Sequence, residues 1–120
     1  MTMRRYNDNA IVKMTFEFAI GILEFSDVLL EQRHFAVANQ TIRSGCSVGA
    51  NVKEAQGAES KADFAHKMKV ALKEAEETEY WLELCDFSKT LPKPGKLLTE
   101  IESIIKVLNK IISTTKKNIK

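Results

Sequence analysis

Apolar residues recur every three or four positions along most of the chain, which is the spacing of one face of an α-helix. Turn and capping residues divide this pattern into four stretches, and we predict helices over residues 9–31, 36–56, 61–88 and 96–118. No stretch shows the alternation of apolar and polar residues that is typical of a half-buried strand. Four amphipathic helices joined by short connections favour an all-α fold, an up-and-down antiparallel four-helix bundle that occupies residues 1–120 as one domain.

The first predicted helix is apolar over a wide arc. One apolar stripe follows the helical period, and a second lies about 100° further round the helix. The second stripe consists of Val12, Phe16, Ile20, Leu23 and Leu30. The core of one small bundle covers only part of such an arc, so we expect helix 1 to pack against another subunit as well.

Two glycines lie inside the second predicted helix, where each costs about 1 kcal/mol relative to alanine. We expect the close approach of a neighbouring helix to compensate for Gly45 and Gly49. Gly57, just after this helix, suits a left-handed C-terminal cap. Ser60 and Asp63 resemble a capping box at the start of the third helix.

The composition excludes several classes of protein. Of the 120 residues, 44% are hydrophobic and 28% charged, so the chain is neither disordered nor a collagen-like or disulfide-dense scaffold. No uncharged apolar run approaches the roughly 20 residues that a membrane-spanning helix needs, and the N-terminus does not resemble a secretory signal. Cys46 and Cys85 lack metal-binding or redox spacing, so we expect reduced cysteines that serve packing. We therefore predict a cytoplasmic protein without a membrane partner.

The net charge of +2 is unevenly distributed along the chain. Residues 89–120 contain eight lysines against two glutamates, a net charge of +6. A basic segment of this kind indicates a polyanionic partner, and a solvated lysine face that only keeps the protein soluble is the alternative. The candidate nucleic-acid-binding residues are the lysines on the polar side of the fourth helix: Lys106, Lys110, Lys117 and Lys120.

Metal and catalytic chemistry find little support in the sequence. Two pairs, Glu31-x-x-His34 and Asp63-x-x-His66, have the spacing that di-iron bundles use. In an up-and-down bundle the end of helix 1 and the start of helix 3 lie at opposite ends, so one site cannot collect both pairs. The motifs for a nucleophile elbow and for a phosphate-binding glycine loop are missing as well. We therefore expect no catalytic residue, no metal and no cofactor.

A polar stripe on the second predicted helix matches one on the third. Antiparallel neighbours would bring the two stripes together along the bundle. The predicted network consists of Gln40, Arg43, Ser47, Asn51, Glu54 and Glu77. We expect an ion pair between Arg43 and Glu77, and we interpret the network as structural, specifying helix packing or subunit contacts rather than binding a ligand.

These same positions carry a resemblance to a known family. The run Gln40-x-x-Arg43-x-x-x-Ser47-x-x-Ala50-Asn51-Val52-x-Glu54 is followed by Ser60, Asp63-Phe64, Ala71-Leu72, Glu77 and Leu82. Together they resemble the bacterial four-helix-bundle proteins called 23S rRNA-intervening-sequence proteins, which are similar to the accessory variability determinant of diversity-generating retroelements. The likeness covers about residues 10–115 and is densest over residues 40–82.

The resemblance implies a non-enzymatic bundle that assembles as a ring-like homopentamer. It also implies a partner among nucleic acids or ribonucleoproteins, since some relatives act with a reverse transcriptase. Two other functions stay open at this point. One is a protein-interaction scaffold that does not bind nucleic acid, and the other is a metal-dependent bundle enzyme that uses the two pairs ending in histidine.

Overall fold

Four α-helices make up the part of the chain that the computed structural model describes, residues 9–119. They are α1 (Ala10–Glu31), α2 (Phe35–Ala55), α3 (Lys61–Phe87) and α4 (Lys96–Lys117). No strand occurs among these residues, so the predicted all-α four-helix fold is confirmed. Consecutive helices are neighbours in space, and α4 closes the bundle against α1 through the smallest of the four helix contacts.

The core lies between the four helices, and each of them contributes to it. Its largest fully buried aliphatic side chains are Ile22 and Leu29 from α1, Val48 and Val52 from α2, Met68 and Leu82 from α3, and Ile101, Ile104 and Leu108 from α4. These positions repeat at the spacing of one helix face, which is why burying the apolar stripes produces a bundle rather than a sheet.

The two helical glycines bring α2 close to α1. A Cβ atom at Gly45 would lie 2.9 Å from Cγ1 and Cγ2 of Ile22, and one at Gly49 would lie 3.1 Å from the carbonyl oxygen of Thr15. The expected close helix approach is therefore confirmed. Because the partner in α1 moves from residue 22 back to residue 15 as α2 advances from 45 to 49, the two helices run antiparallel.

Local hydrogen bonds determine where α3 begins. Ser60 Oγ accepts from the Asp63 N–H at 3.0 Å, and Asp63 Oδ2 accepts from the Glu59 N–H at 3.2 Å. The second bond reaches one residue further back than in the usual capping box. Together the two bonds hold the turn that redirects the chain from α2 into α3.

The prediction of a left-handed cap at Gly57 is wrong. In residues 9–119 the left-handed backbone conformations occur at Arg33 (φ 66°) and Gly95 (φ 58°), next to other helices. After α2, the N–H groups of Gln56, Gly57 and Ala58 each donate to the carbonyl three residues earlier, at 3.1 Å. This tightened last turn satisfies the terminal carbonyls without a left-handed residue.

Part of the second apolar stripe of α1 stays exposed. Val12 is buried and Phe16 is half-buried, whereas Ile20 is 43% and Leu23 is 48% exposed. We call Phe16, Ile20 and Leu23 the α1 apolar patch. The bundle therefore covers one face of α1 and leaves a neighbouring apolar face open, as the width of the apolar arc predicts.

Candidate functional site

The candidate lysines of α4 point away from the core. Lys106, Lys110 and Lys117 are exposed. Lys110 follows Lys106 by four positions, and the exposed Ser113 lies between Lys110 and Lys117 at helical spacing from both. The buried residues of α4 lie on the opposite side of the helix: Leu97, Ile101, Ile104, Leu108 and Ile112. We call Lys106, Lys110 and Lys117 the lysine face. The fourth candidate, Lys120, lies outside the described residues.

Lys69 of α3 feels the charge of Lys116 of α4. The pKa of Lys69 is lowered from its ordinary value by its contact with the Lys116 ammonium group and by the positive charge of that group. Both side chains are exposed. Sequence reasoning missed this pair because its members are 47 positions apart, and only the antiparallel packing of α3 on α4 brings them together.

Acidic residues occupy a different stretch of the same two helices. Burial raises the pKa of Glu79, and the charges of Glu83, Glu102 and Glu76 raise it further. Lys69 and Lys116 lie near the start of α3 and the end of α4, which meet at one end of the bundle, whereas Glu79 and Glu102 lie further along. The α3–α4 side is thus divided into a basic end and an acidic stretch.

The polar network between α2 and α3 contains the Arg43–Glu77 ion pair. Arg43 also pairs with Glu74 at 3.2 Å, and the Gln40 side-chain oxygen accepts from its guanidinium group at 3.3 Å. The indole N–H of Trp81 donates to Glu77 at 3.0 Å. Glu74 and Trp81, which lie on the same stripe of α3 as Glu77, therefore belong to the network.

The other predicted members do not join this network. Ser47 Oγ donates to the Arg43 carbonyl at 2.6 Å and Asn51 Nδ2 donates to the Ser47 carbonyl at 2.8 Å, so both side chains bond to the backbone of α2. Glu54 is exposed. A buried bond links the helices instead, between the Thr78 and Ser44 hydroxyls at 2.9 Å.

The Arg43–Glu77 pair is hydrated rather than buried. The Arg43 side chain is 49% exposed and the Glu77 side chain 36%. Ion pairs at such positions contribute little to stability, since water already solvates both charges and screens their attraction. The pKa of Glu77 is lowered, first by the hydrogen bond from Trp81 and then by Arg43, so this carboxylate remains ionised at neutral pH. The network orients α3 on α2 without the large penalty of a buried charge.

Glu77→Gln and Glu79→Gln should change stability in opposite directions. The carboxylate of Glu77 stabilises the fold above its ordinary pKa of 4.5, and the effect is lost as the pH falls through its lowered pKa. Glu79 has a raised pKa, so its charge destabilises the fold at neutral pH and not below about 4.5. At pH 7 we expect Glu77→Gln to lower the thermal midpoint and Glu79→Gln to raise it, each by about 4 °C or less.

Thermal scans from pH 7 down to pH 3 would check this pair of variants. Both differences from the unmodified protein should shrink as the pH falls. Shifts of the same sign, or shifts independent of pH, would contradict the assigned charges.

No metal centre or reactive cysteine emerges from the geometry. Within residues 9–119, no three or more histidine, cysteine, aspartate and glutamate side chains are grouped so that they could hold a metal ion. Cys46 and Cys85 are free thiols, and burial raises the pKa of both. Raised values disfavour the thiolate, which is the nucleophilic form. In the same part of the chain, no helix combines the length and apolarity required to cross a bilayer.

Comparison with known proteins identifies the family. The sequence model of the 23S rRNA-intervening sequence protein family matches residues 7–110. The chain belongs to this family. The match includes the Arg43–Glu77 network and the first two residues of the bundle's lysine face, Lys106 and Lys110.

A solved structure has the same fold. The chain is similar to a protein of unknown function from the S23 ribosomal protein family of Bacteroides thetaiotaomicron VPI-5482, with 39% sequence identity and a TM-score of 0.80. The similarity covers 85% of this chain and 97% of that crystal structure. Comparison with curated protein sequences gives no match. The comparisons thus agree with the observed fold, and the function has to be inferred from the side chains.

Proposed function

We propose that this 23S rRNA-intervening sequence protein is a non-enzymatic, homo-oligomeric accessory module that binds nucleic acid, either free or within a ribonucleoprotein. The role would be similar to that of the accessory variability determinant of diversity-generating retroelements. The observation that carries the proposal is the lysine face, three exposed ammonium groups aligned on one side of α4 and directed away from the core.

The chemistry of α4 favours phosphate contacts over base recognition. Ammonium groups neutralise phosphates and release the counterions condensed on them, which gives binding that weakens steeply with salt. α4 contains no aromatic residue on which unpaired bases could stack, and phosphate contacts carry no sequence information. The module would therefore bind many sequences, and a partner protein would supply specificity.

The α1 apolar patch supports the proposed self-assembly. Exposed apolar surface on a small protein marks an interaction site when it is contiguous. Beside the patch, a cavity of about 180 Å³ lies between α1 and α2 and is lined by Phe16, Ala19 and Cys46 among others, so an apolar side chain from a second copy has a place to insert. On the family resemblance, the form proposed for this assembly is a ring-like homopentamer. A ring repeats the lysine face, and weak contacts then act together through multivalency.

The test is a binding titration of the unmodified protein. A structured RNA and a DNA duplex of the same length, each with a fluorescent label, would be titrated at 50 mM and 200 mM KCl, with oligomer size measured by light scattering. We expect binding to both at the lower salt, and affinity lower by at least tenfold at the higher salt. Failure to bind either nucleic acid at 50 mM KCl would overturn the proposal.

A protein-interaction scaffold is the second candidate. It is favoured by the large apolar side chains that α3 exposes toward its C-terminal end, where Phe87 is 82% and Tyr80 is 54% exposed. Aromatic side chains of this kind are enriched at protein interfaces. The same titration separates the two functions, because a scaffold would form the oligomer without retaining either nucleic acid.

A further inference from the structure

Three large side chains lie on the outer side of α3, away from the core. Tyr80, Leu84 and Phe87 are exposed and lie within an arc of about 60°, and we call them the α3 apolar stripe. The side chains that α3 buries lie on the opposite side of the helix: Ala65, Met68, Ala71, Ala75, Thr78, Leu82 and Cys85. The exposed Lys73 occupies the same line two turns before Tyr80, so the stripe is confined to the C-terminal part of α3. It adds nothing to the core, and exposed apolar residues that adjoin one another mark an interaction surface.

Contacts beside the stripe fix the position of its first member. The Tyr80 ring packs edge-on against the half-buried Trp81, with 5.2 Å between the ring centroids and 71° between their planes. The Trp81 indole N–H donates to Glu77 at 3.0 Å, and Glu77 pairs with Arg43 of α2. The polar network between α2 and α3 thus supports an exposed aromatic ring. A ring that is ordered before binding loses little conformational entropy when a partner covers it.

Carboxylates border the stripe along one edge. Glu76, Glu79 and Glu83 lie about 40–100° round the helix from Tyr80, all on the same side of it. Within residues 9–119, the carboxylates that form ion pairs are others, those of Asp63, Glu74 and Glu77. The surface therefore combines an apolar centre with a negatively charged edge, which attracts cations.

A second copy of this chain does not match the stripe. Its α1 apolar patch is bordered mainly by carboxylates, at Glu17, Glu24 and Asp27, so two acidic edges would face each other. The lysine face has the opposite charge, but no large apolar side chain of α4 is exposed. Nucleic acid does not match either, because bases could stack on the aromatic rings but the carboxylates repel phosphates. The stripe requires a partner that carries apolar and cationic groups together.

We propose that the α3 apolar stripe binds an amphipathic helix of a different protein, one that presents apolar side chains at helical spacing and cations along one edge. The cations would lie against Glu76, Glu79 and Glu83. A helix suits the stripe because side chains at helical spacing interdigitate with those of a second helix. Residues 9–119 contain no strand, and therefore no sheet edge to which an extended segment could add. This partner is additional to the nucleic acid of the proposed function and uses a separate surface.

A synthetic helical peptide of about 18 residues serves as the probe. Its leucines follow one helix face and its arginines one edge, and a control peptide contains the same residues in shuffled order. Fluorescence anisotropy of the labelled peptides should show that the unmodified protein binds the first about tenfold or more tightly than the second. Equal affinities for the two peptides, or no binding of the first, would overturn the inference.

Apolar variants test whether the peptide lies on the stripe. Leu84→Gln and Phe87→Gln should each weaken peptide binding about fivefold or more, since a few central contacts carry most of the energy of an interface. Val28→Gln is the matched control, because it removes an exposed apolar side chain from α1, which does not contact α3. It should leave the affinity unchanged. Equal affinities for all three variants would overturn the inference.

Acidic variants test the charged edge. Glu76→Gln and Glu83→Gln should each weaken peptide binding about two- to threefold and make it less sensitive to salt. Glu54→Gln removes an equal charge from the exposed surface of α2 and should change neither quantity. An unchanged salt dependence in the first two variants would contradict a cationic partner.

RNA affinity and oligomer size distinguish the possible occupants of the stripe. Both should equal the values of the unmodified protein in every variant. A stripe variant that weakens RNA binding would make the stripe a nucleic-acid surface, and one that changes oligomer size would make it a subunit contact; either result would overturn the inference. If the unmodified protein binds RNA but not the peptide, this inference fails and the proposed function stands. If it binds the peptide but not RNA, the proposed function fails and this inference stands.

Discussion

Gly45→Leu is expected to destabilise the bundle by about 3 kcal/mol or more. Even a single added Cβ would lie 2.9 Å from two carbon atoms of Ile22, a side chain with no exposed surface. Overpacking of this kind costs about 1–3 kcal/mol for a small excess of volume, and leucine adds three further carbon atoms. The better helix propensity of leucine returns less than about 1 kcal/mol, so the steric cost dominates.

Gly57→Leu provides the matched control. A Cβ at Gly57 makes an ordinary contact, 3.7 Å from the Glu54 carbonyl, and the backbone there is not left-handed. We expect a change within about 0.5 kcal/mol for this surface substitution. Urea denaturation followed by circular dichroism would compare the two variants. Similar midpoints for both would mean that α2 does not approach α1 as closely as the packing at Gly45 requires.

Leu23→Glu is expected to dissociate the proposed oligomer into folded monomers. Leu23 is 48% exposed in the single subunit, so a glutamate there is hydrated and leaves the core intact. In an assembled ring the same position would be covered, and a buried carboxylate without a partner is too costly to retain. Far-UV circular dichroism should therefore remain helical while light scattering reports the mass of one chain.

Val28→Glu tests whether the effect belongs to the α1 apolar patch. Val28 is 39% exposed and lies about 140° away from Leu23 round the helix axis. Val28→Glu introduces the same charge into the same helix, and we expect this variant to preserve the proposed oligomer. Dissociation by both variants would point to a general effect of charge on α1, and dissociation by neither would remove the patch from the interface.

The sequence is sufficient to predict the helices and the packing at the glycines, because both follow from periodicity. Gly45 and Gly49 lower the stability of an isolated helix, and the close approach of a neighbouring helix offsets this cost. The way in which α2 ends near Gly57 cannot be predicted from periodicity. Whether a helix ends in a left-handed residue or in a tightened turn depends on where the next helix must begin. The position of the next helix cannot be read from the local sequence.

The candidate site also contains some features that helical spacing predicts and others that depend on how the helices pack. The lysine face lies on one helix, so helical spacing alone is enough to find it. The contact of Arg43 with Glu74 depends on the rotation of α3 against α2. Helix register also decides that Arg43 and Glu77 meet at the surface, so the exposed fraction of each side chain requires the folded bundle.

The lysine face should determine the salt dependence of RNA binding. Kd would be measured by fluorescence anisotropy on one labelled single-stranded RNA from 50 to 300 mM KCl, for the unmodified protein and two triple variants. One variant changes Lys106, Lys110 and Lys117 to glutamine, and the control changes the exposed Lys13, Lys89 and Lys96. We expect the first variant to keep its oligomer size, to bind about tenfold or more weakly, and to show a slope smaller by up to about 2. We expect the control to bind like the unmodified protein. Equal affinities and equal slopes for both triple variants would contradict the lysine face as the binding surface.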